Sequence, residues 1–398
     1  MTAMPCPYPF QRPAALEIPK ELADLRDEPL VPVTLPSGDR AVLATRYDDV
    51  RALLTDERLS RNLGRPGAAR ISRNNQMFQD PNIDPDPPEH TRVRQLVAKA
   101  FTPGRVSRLE PYVRSVVGEL LDAMERTTPP VDLNTALAFP LPIRVVCALL
   151  GIPPCDHDKF RRWTDAFLSV SKVDGAEIRR SMTELSEYIA ALIEAKRKAP
   201  ADDLISGMIK ARDEQDGRLN EYELHWWCRL LLLVGYETTA TQLGGGIAML
   251  LTHPDQLALL RADMSLIPQA IEELLRWKLV GSSVSMLRYA VGDVTLGDGS
   301  VIPAGTSVIP AVDSANQDAS VFADPGRFDI TRTANPHLTF SVGPHFCIGA
   351  ALARAELRIA TEGLLRRFPT LRLAVAAKDL RRCDGALLEG FAELPVTW

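Results

Sequence analysis

Apolar residues in this chain change period several times, and each change marks an element. From Leu30 to Thr45 they alternate around Pro36-Ser-Gly38-Asp, which predicts a β-hairpin. Tyr47 to Leu54 takes helical spacing and predicts a short helix. Arg61 to Pro88 shows neither period and is rich in Arg, Asn, Asp and Pro; a loop that long is a lid, a binding loop or a disordered segment. Helical spacing resumes at His90 and runs to about residue 279, broken at Thr128-Pro-Pro and Ile152-Pro-Pro. Val294 to Ile309 predicts a second hairpin, with Gly297-Asp-Gly299 at its turn. After a looser stretch, Ala350 to Phe368 predicts a last long helix that opens with strong helix formers. No internal repeat, low-complexity tract or linker interrupts the pattern. It reads as one domain over residues 1–398, mainly α with small β-sheets.

One predicted helix carries unusual residues. Asn220 and Glu223 form a capping-box-like pair at its start, and Pro254 marks its end. The segment between is about 32 residues, roughly 48 Å long at helical rise. Its middle reads Val234-Gly235-Tyr236-Glu237-Thr238-Thr239. A carboxylate in an apolar helix costs free energy unless it is paired or solvated. Two readings stand side by side. Thr238 bonds back to its own helix while Glu237 faces solvent, or the pair handles protons inside the protein. The run Leu230 to Leu251 is a poor membrane span, because it holds Glu237, Gln242, three threonines and four glycines. It predicts a buried helix.

Chemistry concentrates before the last helix, in Phe340-Ser-Val-Gly343-Pro-His345-Phe-Cys347-Ile-Gly349-Ala-Ala-Leu352-Ala353-Arg354. Cys347 lies just ahead of a helix N-terminus, where the dipole and free N–H groups lower a thiol pKa. Gly343 and Gly349 let the backbone turn tightly and lie close to a flat ligand. An isolated cysteine is most often a small core hydrophobe. Here Phe, Gly, His, Cys, Gly, Leu, Ala and Arg recur at fixed offsets, the arrangement that lets a thiolate ligate haem iron from one side.

Composition narrows the class. With 398 residues and 45% hydrophobic content the chain can bury a large core. A net charge of −5 argues against a nucleic-acid binder that works through general positive charge. Cys6, Cys147, Cys155, Cys228, Cys347 and Cys383 make no C-x-x-C pair, so zinc and thioredoxin-like readings are weak, and a reducing cytoplasm fits. The N-terminus has neither the basic nor the apolar region of a signal peptide. No membrane partner is expected.

The cysteine stretch resembles the haem-binding loop of the cytochromes P-450, of the form F-x-x-G-x-H-x-C-x-G-x-x-L-A-R. The resemblance extends from about Val31 to the C-terminus and is nearest to soluble actinobacterial members of secondary metabolism. It implies the fold of that family, haem b as cofactor and Cys347 as the metal ligand. Phe340, Gly343, His345 and Gly349 would then surround the cofactor. Val234 to Thr238 matches the motif A/G-G-x-D/E-T, which implies proton delivery by Glu237 and Thr238 and a close approach to oxygen at Gly235. Val234 departs from the usual Ala or Gly and narrows the space above the ring. Glu273-Leu-Leu-Arg276 matches E-x-x-R, and Arg327 matches its third partner, a structural role. His90 and Arg94, four apart in a match to D-P-P-x-H-T-R-x-R, are implied propionate partners together with Arg288 and His345. Taken singly, each is as readily a solvated surface cation. Ala315-Asn-Gln-Asp-Ala departs from A-N-R-D-P by losing a charge and a proline.

By the same analogy the substrate pocket is built from Leu63 to Ile83, Phe167 to Ile178, Leu230 to Thr238 and Val280 to Leu287, with Leu387 and Leu388 closing it. Met77, Phe78, Val234, Val284 and Leu287 are its expected walls. Arg65, Arg70 and Arg73 lie in the first stretch and leave an acidic substrate group open. The expected activity is a monooxygenase that uses dioxygen and hydroxylates a medium-sized, mostly apolar natural product. Oxidative coupling or cyclisation of an aromatic or peptide-derived metabolite is the alternative, then a peroxide-driven peroxygenase or a haem sensor without turnover. No flavin or nicotinamide motif is visible, so electrons come from ferredoxin and ferredoxin reductase. Arg92, Arg105, Arg108, Arg354 and Arg358 are the expected docking face, or else ordinary solvated charge.

Overall fold

The structure is a computed structural model and describes residues 6–80, 85–153, 157–214, 219–277 and 280–398. Among them β1 (Cys6–Pro7) pairs in parallel with β2 (Val31–Thr34), which turns back antiparallel into β3 (Arg40–Ala44). The expected first hairpin is therefore present, with Val31 opposite Leu43 and Gly38 making the turn at φ +88. The other strands are β4 (Leu59–Ser60), β5 (Val131–Asp132), β6 (Arg288–Ala290), β7 (Val294–Thr295), β8 (Val301–Ile302), β9 (Ser307–Pro310), β10 (Arg372–Leu373) and β11 (Pro395–Thr397). The main sheet runs β1-β2-β3-β9-β6-β4. The second hairpin is shorter than expected. Only β7 and β8 pair across Gly299, and β9 leaves to lie parallel to β3.

The helices are α1 (Glu21–Asp24), α2 (Tyr47–Thr55), α3 (Glu89–Ala98), α4 (Pro103–Glu125), α5 (Pro140–Leu150), α6 (His157–Phe167) and α7 (Gly175–Lys198). They continue with α8 (Leu204–Asp213), α9 (Glu221–Gly235), α10 (Glu237–Thr252), α11 (Pro254–Ala262), α12 (Ile267–Arg276), α13 (Val312–Ala315) and α14 (Ala350–Arg367). The expected helical region thus extends through α12; residues 278 and 279, like Cys155 and Ile83, lie outside the described residues. One large apolar core joins α4, α5, α9, α10 and α14, with Val113, Val145, Leu224, Ala248 and Leu364 fully enclosed. No helix among the described residues is long and apolar enough to cross a membrane.

The expected 32-residue helix is two helices. Asn220 and Glu223 form the full capping box at the start of α9. Helical geometry then lapses at Tyr236 (φ −118, ψ −42), and α10 begins at Glu237. Beside this break a Cβ on Gly235 would fall 2.7 Å from Val146 Cγ2 of α5. Glycine here is required by packing against α5.

Behind the cysteine loop lies a wholly buried ion pair. Glu273 and Arg276 have fully enclosed side chains joined by bonds of 2.7 and 2.9 Å. Arg276 also donates to the carbonyls of Asn316 and Pro325, each at 2.9 Å. The third side chain on Glu273 is Arg332, at 3.2 Å, and Asn335 adds a bond of 3.1 Å. This corrects the assignment to Arg327. That side chain is exposed, and it is the backbone carbonyl of Arg327 that accepts from Arg276, at 3.2 Å. Arginines 327 and 332 flank the same turn, and nothing local in the sequence distinguishes them.

Truncation separates the two. Arg332→Ala should lower unfolding free energy by about 1–3 kcal/mol, because it strips a partner from a buried carboxylate. Arg327→Ala should stay within about 0.5 kcal/mol of wild type. Urea unfolding of the cofactor-free chains measures both, and the reverse order would contradict the assignment.

Candidate functional site

The buried pair reaches the cysteine through a short chain of hydrogen bonds. Asn316 donates to the Arg276 carbonyl at 3.0 Å and to Thr339 Oγ1 at 2.9 Å, and accepts from the Leu338 amide at 2.8 Å. Thr339 Oγ1 donates to the Leu275 carbonyl at 2.6 Å. The next carbonyl, of Phe340, accepts the Cys347 amide at 2.7 Å and closes the loop. From the other side Arg354 of α14 grips Glu272 with bonds of 2.7 and 2.9 Å, while its guanidinium lies 4.6 Å over the Phe340 ring. His337 adds a contact of 3.1 Å to Glu272. Burial would raise the Glu272 carboxyl, but the bonds from His337 and Arg354 outweigh it and hold the group at about 2. Arg354 therefore braces the loop and does not belong to a free basic face.

Gly343 adopts φ +71, and a Cβ there would lie 2.9 Å from Thr55 Cγ2 of α2. Its missing side chain makes room for α2, and its positive φ gives the expected tight turn. Gly349 has an ordinary φ of −85, and a Cβ on it would meet no protein atom within 4 Å, an open side compatible with a cofactor's face. Cys347 exposes its surface to a cavity of about 330 Å³. Burial pushes its thiol up, opposed by the Gly349 amide and the charges of Arg94 and Arg354. The Gly349 amide acts in the expected direction, and burial outweighs it; coordination to a metal deprotonates a thiol outright.

Thr238, Thr239 and Gln242 of α10 line the same cavity as Cys347 and Phe340. A second cavity of about 250 Å³ adjoins it, and Arg61, Val234, Thr238 and Leu388 line both. Phe78 and Leu287 line the second, as expected. Met77 and Val284 do not: Met77 is half-buried against the main core, and Val284 is enclosed in a smaller core with Leu287. Arg65 and Arg70 form ion pairs of 2.8 Å with Asp86 and Asp39, and Arg73 donates to the Ser37 carbonyl, so none of the three lines either cavity.

The site gathers cations at one edge. His90 and Arg288 are buried, and the His90 ring lies 4.2 Å from that of His345. Arg288 donates to the carbonyls of Met286 and Leu287 at 2.8 and 3.2 Å. Arg94 donates to the Phe346 carbonyl. His345 is pushed well below its ordinary pKa, first by burial and then by the charges of Arg61, His90, Arg288 and Arg94. The structure so brings all four expected cations together and adds Arg61, which opens an irregular loop and carries no sequence signal. A planar group with carboxylates at one edge and a metal over Cys347 fits this donor set, so the residues present suit haem.

Of the acid and the alcohol, only the alcohol lines the cavities. Thr238 faces the cavities, and its hydroxyl donates to the Val234 carbonyl at 3.3 Å, the back-bonded arrangement. Glu237 lines neither cavity; its Oε2 is buried and has no hydrogen-bond partner among the described residues. Burial, then the Asp165 charge, push its carboxyl up to about 7, against the opposing charges of Arg161 and Lys172. Solvent exposure, the simpler expectation for Glu237, is thus not what the fold provides.

Comparison with known proteins agrees. A profile for the family Cytochrome P-450 matches residues 157–376. The chain is 43% identical over 400 residues to mycinamicin IV hydroxylase/epoxidase of Micromonospora griseorubida, covering 100% of both. It is 41% identical to nocardicin C N-oxygenase of Nocardia uniformis subsp. tsuyamanensis, covering 98% of both. Among solved structures it is similar to the LnmA cytochrome P-450 hydroxylase of the leinamycin pathway of Streptomyces atroolivaceus S-140. The TM-score is 0.88 at 42% identity, covering 99% of this chain and 100% of that one.

The state of Glu237 makes a pH-dependent prediction. The folded protein keeps a proton on it up to about 7, while the unfolded chain releases it near 4.5. The stability carried by that proton is full below 4.5 and is lost as pH rises through 7. Glu237→Gln should therefore gain about 3 kcal/mol relative to wild type between acid and mildly alkaline pH. Urea unfolding across that range measures it, and parallel pH profiles would contradict the burial of this carboxyl.

Proposed function

The chain belongs to the cytochrome P-450 family, and we propose that it hydroxylates a mostly apolar natural product with dioxygen, on haem b held by Cys347. The observation that carries this is that Cys347 and Thr238 of α10 line one cavity. Haem bound through a thiolate supplies the redox chemistry, and the thiolate's electron donation favours O–O cleavage. His90, Arg94, Arg288 and His345, with Arg61, would hold the propionates. Glu237 holds an exchangeable proton near neutral pH outside both cavities, and its neighbour Thr238 presents a hydroxyl to the cavity. Together they would carry protons to a cavity that Thr239, Gln242 and Ser282 also line.

The relatives named as a hydroxylase/epoxidase and an N-oxygenase support oxygen insertion over ring coupling. The presence of Glu237 and Thr238 supports dioxygen over peroxide as oxidant, and turnover over sensing. Residues 1–398 act as one domain in this reading. Cys6, Cys147, Cys228, Cys347 and Cys383 are free thiols, which suits the cytoplasm. Electrons would come from ferredoxin and its reductase. Of the expected docking arginines, Arg92 pairs with Glu223 at 3.1 Å and Arg358 with Glu110 at 2.7 Å, while Arg105 and Arg108 are exposed on the first turns of α4. Phe346 of the cysteine loop is exposed as well.

Turnover under oxygen-18 gas with an iron–sulfur ferredoxin, its reductase and a nicotinamide donor tests the proposal. The product should carry one labelled oxygen, and Thr238→Ala should divert most electrons to hydrogen peroxide. An unlabelled product, or a Thr238→Ala enzyme that couples like wild type, would contradict it. Joint Arg105→Glu and Arg108→Glu should slow the first electron transfer about tenfold or more at low salt. An unchanged rate would remove the docking assignment.

A further inference from the structure

A further cavity lies apart from the cysteine. Its volume is about 650 Å³, larger than either cavity at the candidate centre and within the usual range for sites that take drug-sized molecules. Its walls come from residues 14–20 ahead of α1, from α1 itself, from the C-terminal end of α10 and from the residue that follows α12. It shares no lining residue with the two cavities beside Cys347. Leu16, Ile18, Leu22, Met249 and Trp277 make its lining largely apolar. Gln317 lies on the same wall, a shorter and uncharged side chain where the A-N-R-D-P pattern has arginine.

Charge at this cavity is one-sided. Lys20, Arg26 and Lys378 line it, against the single carboxylate of Glu17. Lys20 and Lys378 are exposed and mark its mouth. Arg26 is half-buried and held in place. Its Nη2 donates to the Ser314 carbonyl at 2.8 Å, and its own carbonyl accepts from Arg46 Nε at 2.8 Å. None of the three cations forms an ion pair among the described residues. Asp318 and Asp313, the carboxylates whose charges act on Arg26, do not line the cavity. The cavity of about 550 Å³ beside α8 differs in this respect: its Lys196 pairs with Asp203 and its Arg197 with Glu221 at 2.8 Å, so much of its charge is answered within the protein.

We propose that this cavity is a second ligand site, separate from the cavities at Cys347, and that it takes an apolar molecule with one carboxylate. An apolar slot with cations at its rim complements a hydrocarbon or aromatic body that carries one anionic end. The body lies on Leu16, Ile18, Met249 and Trp277. The carboxylate meets Arg26, where a charge-assisted hydrogen bond fixes it, and Lys20 and Lys378 add attraction at the mouth. A free fatty acid and an aromatic acid share this chemistry, and the shape of the probe distinguishes them.

The test uses the haem-loaded protein with 4-phenylimidazole bound, which closes the cysteine cavity. Decanoate, 2-naphthoate, decanol and decyltrimethylammonium are titrated by calorimetry, and the Soret band of the azole complex is followed in parallel. Wild type should bind one equivalent of at least one of the two acids, at least tenfold more tightly than the alcohol or the ammonium, with the azole band unchanged. Arg26→Gln should weaken that acid at least tenfold. Because Arg26 also bonds to the Ser314 carbonyl, a second variant at exposed positions, Lys20→Glu with Lys378→Glu, separates charge from folding. It should weaken the acid about tenfold at low salt and leave decanol unchanged. Ala23→Trp, at an exposed position on the wall, should fill the cavity and abolish binding. No binding of either acid, equal affinity for acid, alcohol and ammonium, or an acid that displaces the azole would overturn the proposal. So would an affinity unmoved in both charge variants or retained in Ala23→Trp.

Discussion

The structure around the candidate centre depends on one buried ion pair. Glu273 and Arg276 are both fully enclosed, and a charge in such a place is tolerated only when every hydrogen-bonding direction is met. Arg276 meets them by reaching backbone carbonyls of Asn316, Pro325 and Arg327, segments far away in sequence. Glu273 meets them with Arg332, Asn335 and the Asp329 amide. The need to satisfy two buried charges thus pins an irregular stretch of chain that has little regular structure of its own. Asn316 passes that constraint to Thr339, and the Phe340 carbonyl passes it to Cys347.

Around this anchor, charge is sorted by side. Between α12 and α14, Glu272 is balanced by Arg354 and His337. At the opposite edge, Arg61, His90, Arg94 and Arg288 gather around His345. On α10, Thr238 lines the cavity and its neighbour Glu237 does not. An acid whose titration lies near neutral pH therefore adjoins a hydroxyl that faces the reacting space. Positioning by the frame, charge at the edge and proton handling above are separate tasks carried by separate residues.

Much of this was legible in the sequence where the determinants are local. The first hairpin follows from alternation around Gly38, the start of α9 from Asn220 and Glu223, and the cysteine loop from fixed offsets along one short stretch. The cations at the edge were readable through their motifs, although their convergence on His345 is tertiary. What sequence could not resolve depends on distant partners. The break at Tyr236 interrupts an apolar pattern that continues on both sides, next to a glycine packed on Val146. Strand β9 leaves its hairpin because β3 offers it a better edge. Arg332 and not Arg327 reaches Glu273 because of how one turn is oriented, and Val284 turns into a core where its neighbours in sequence line a cavity.

The central claim is that Cys347, held by this frame, ligates haem iron through its thiolate. Reducing the purified, haem-loaded protein under carbon monoxide and recording the Soret band tests it most directly. The account predicts the strongly red-shifted band of thiolate ligation in wild type and its loss in Cys347→Ser with the fold preserved. A correctly folded wild type without that band, or a Cys347→Ser protein that retains it, would contradict the account.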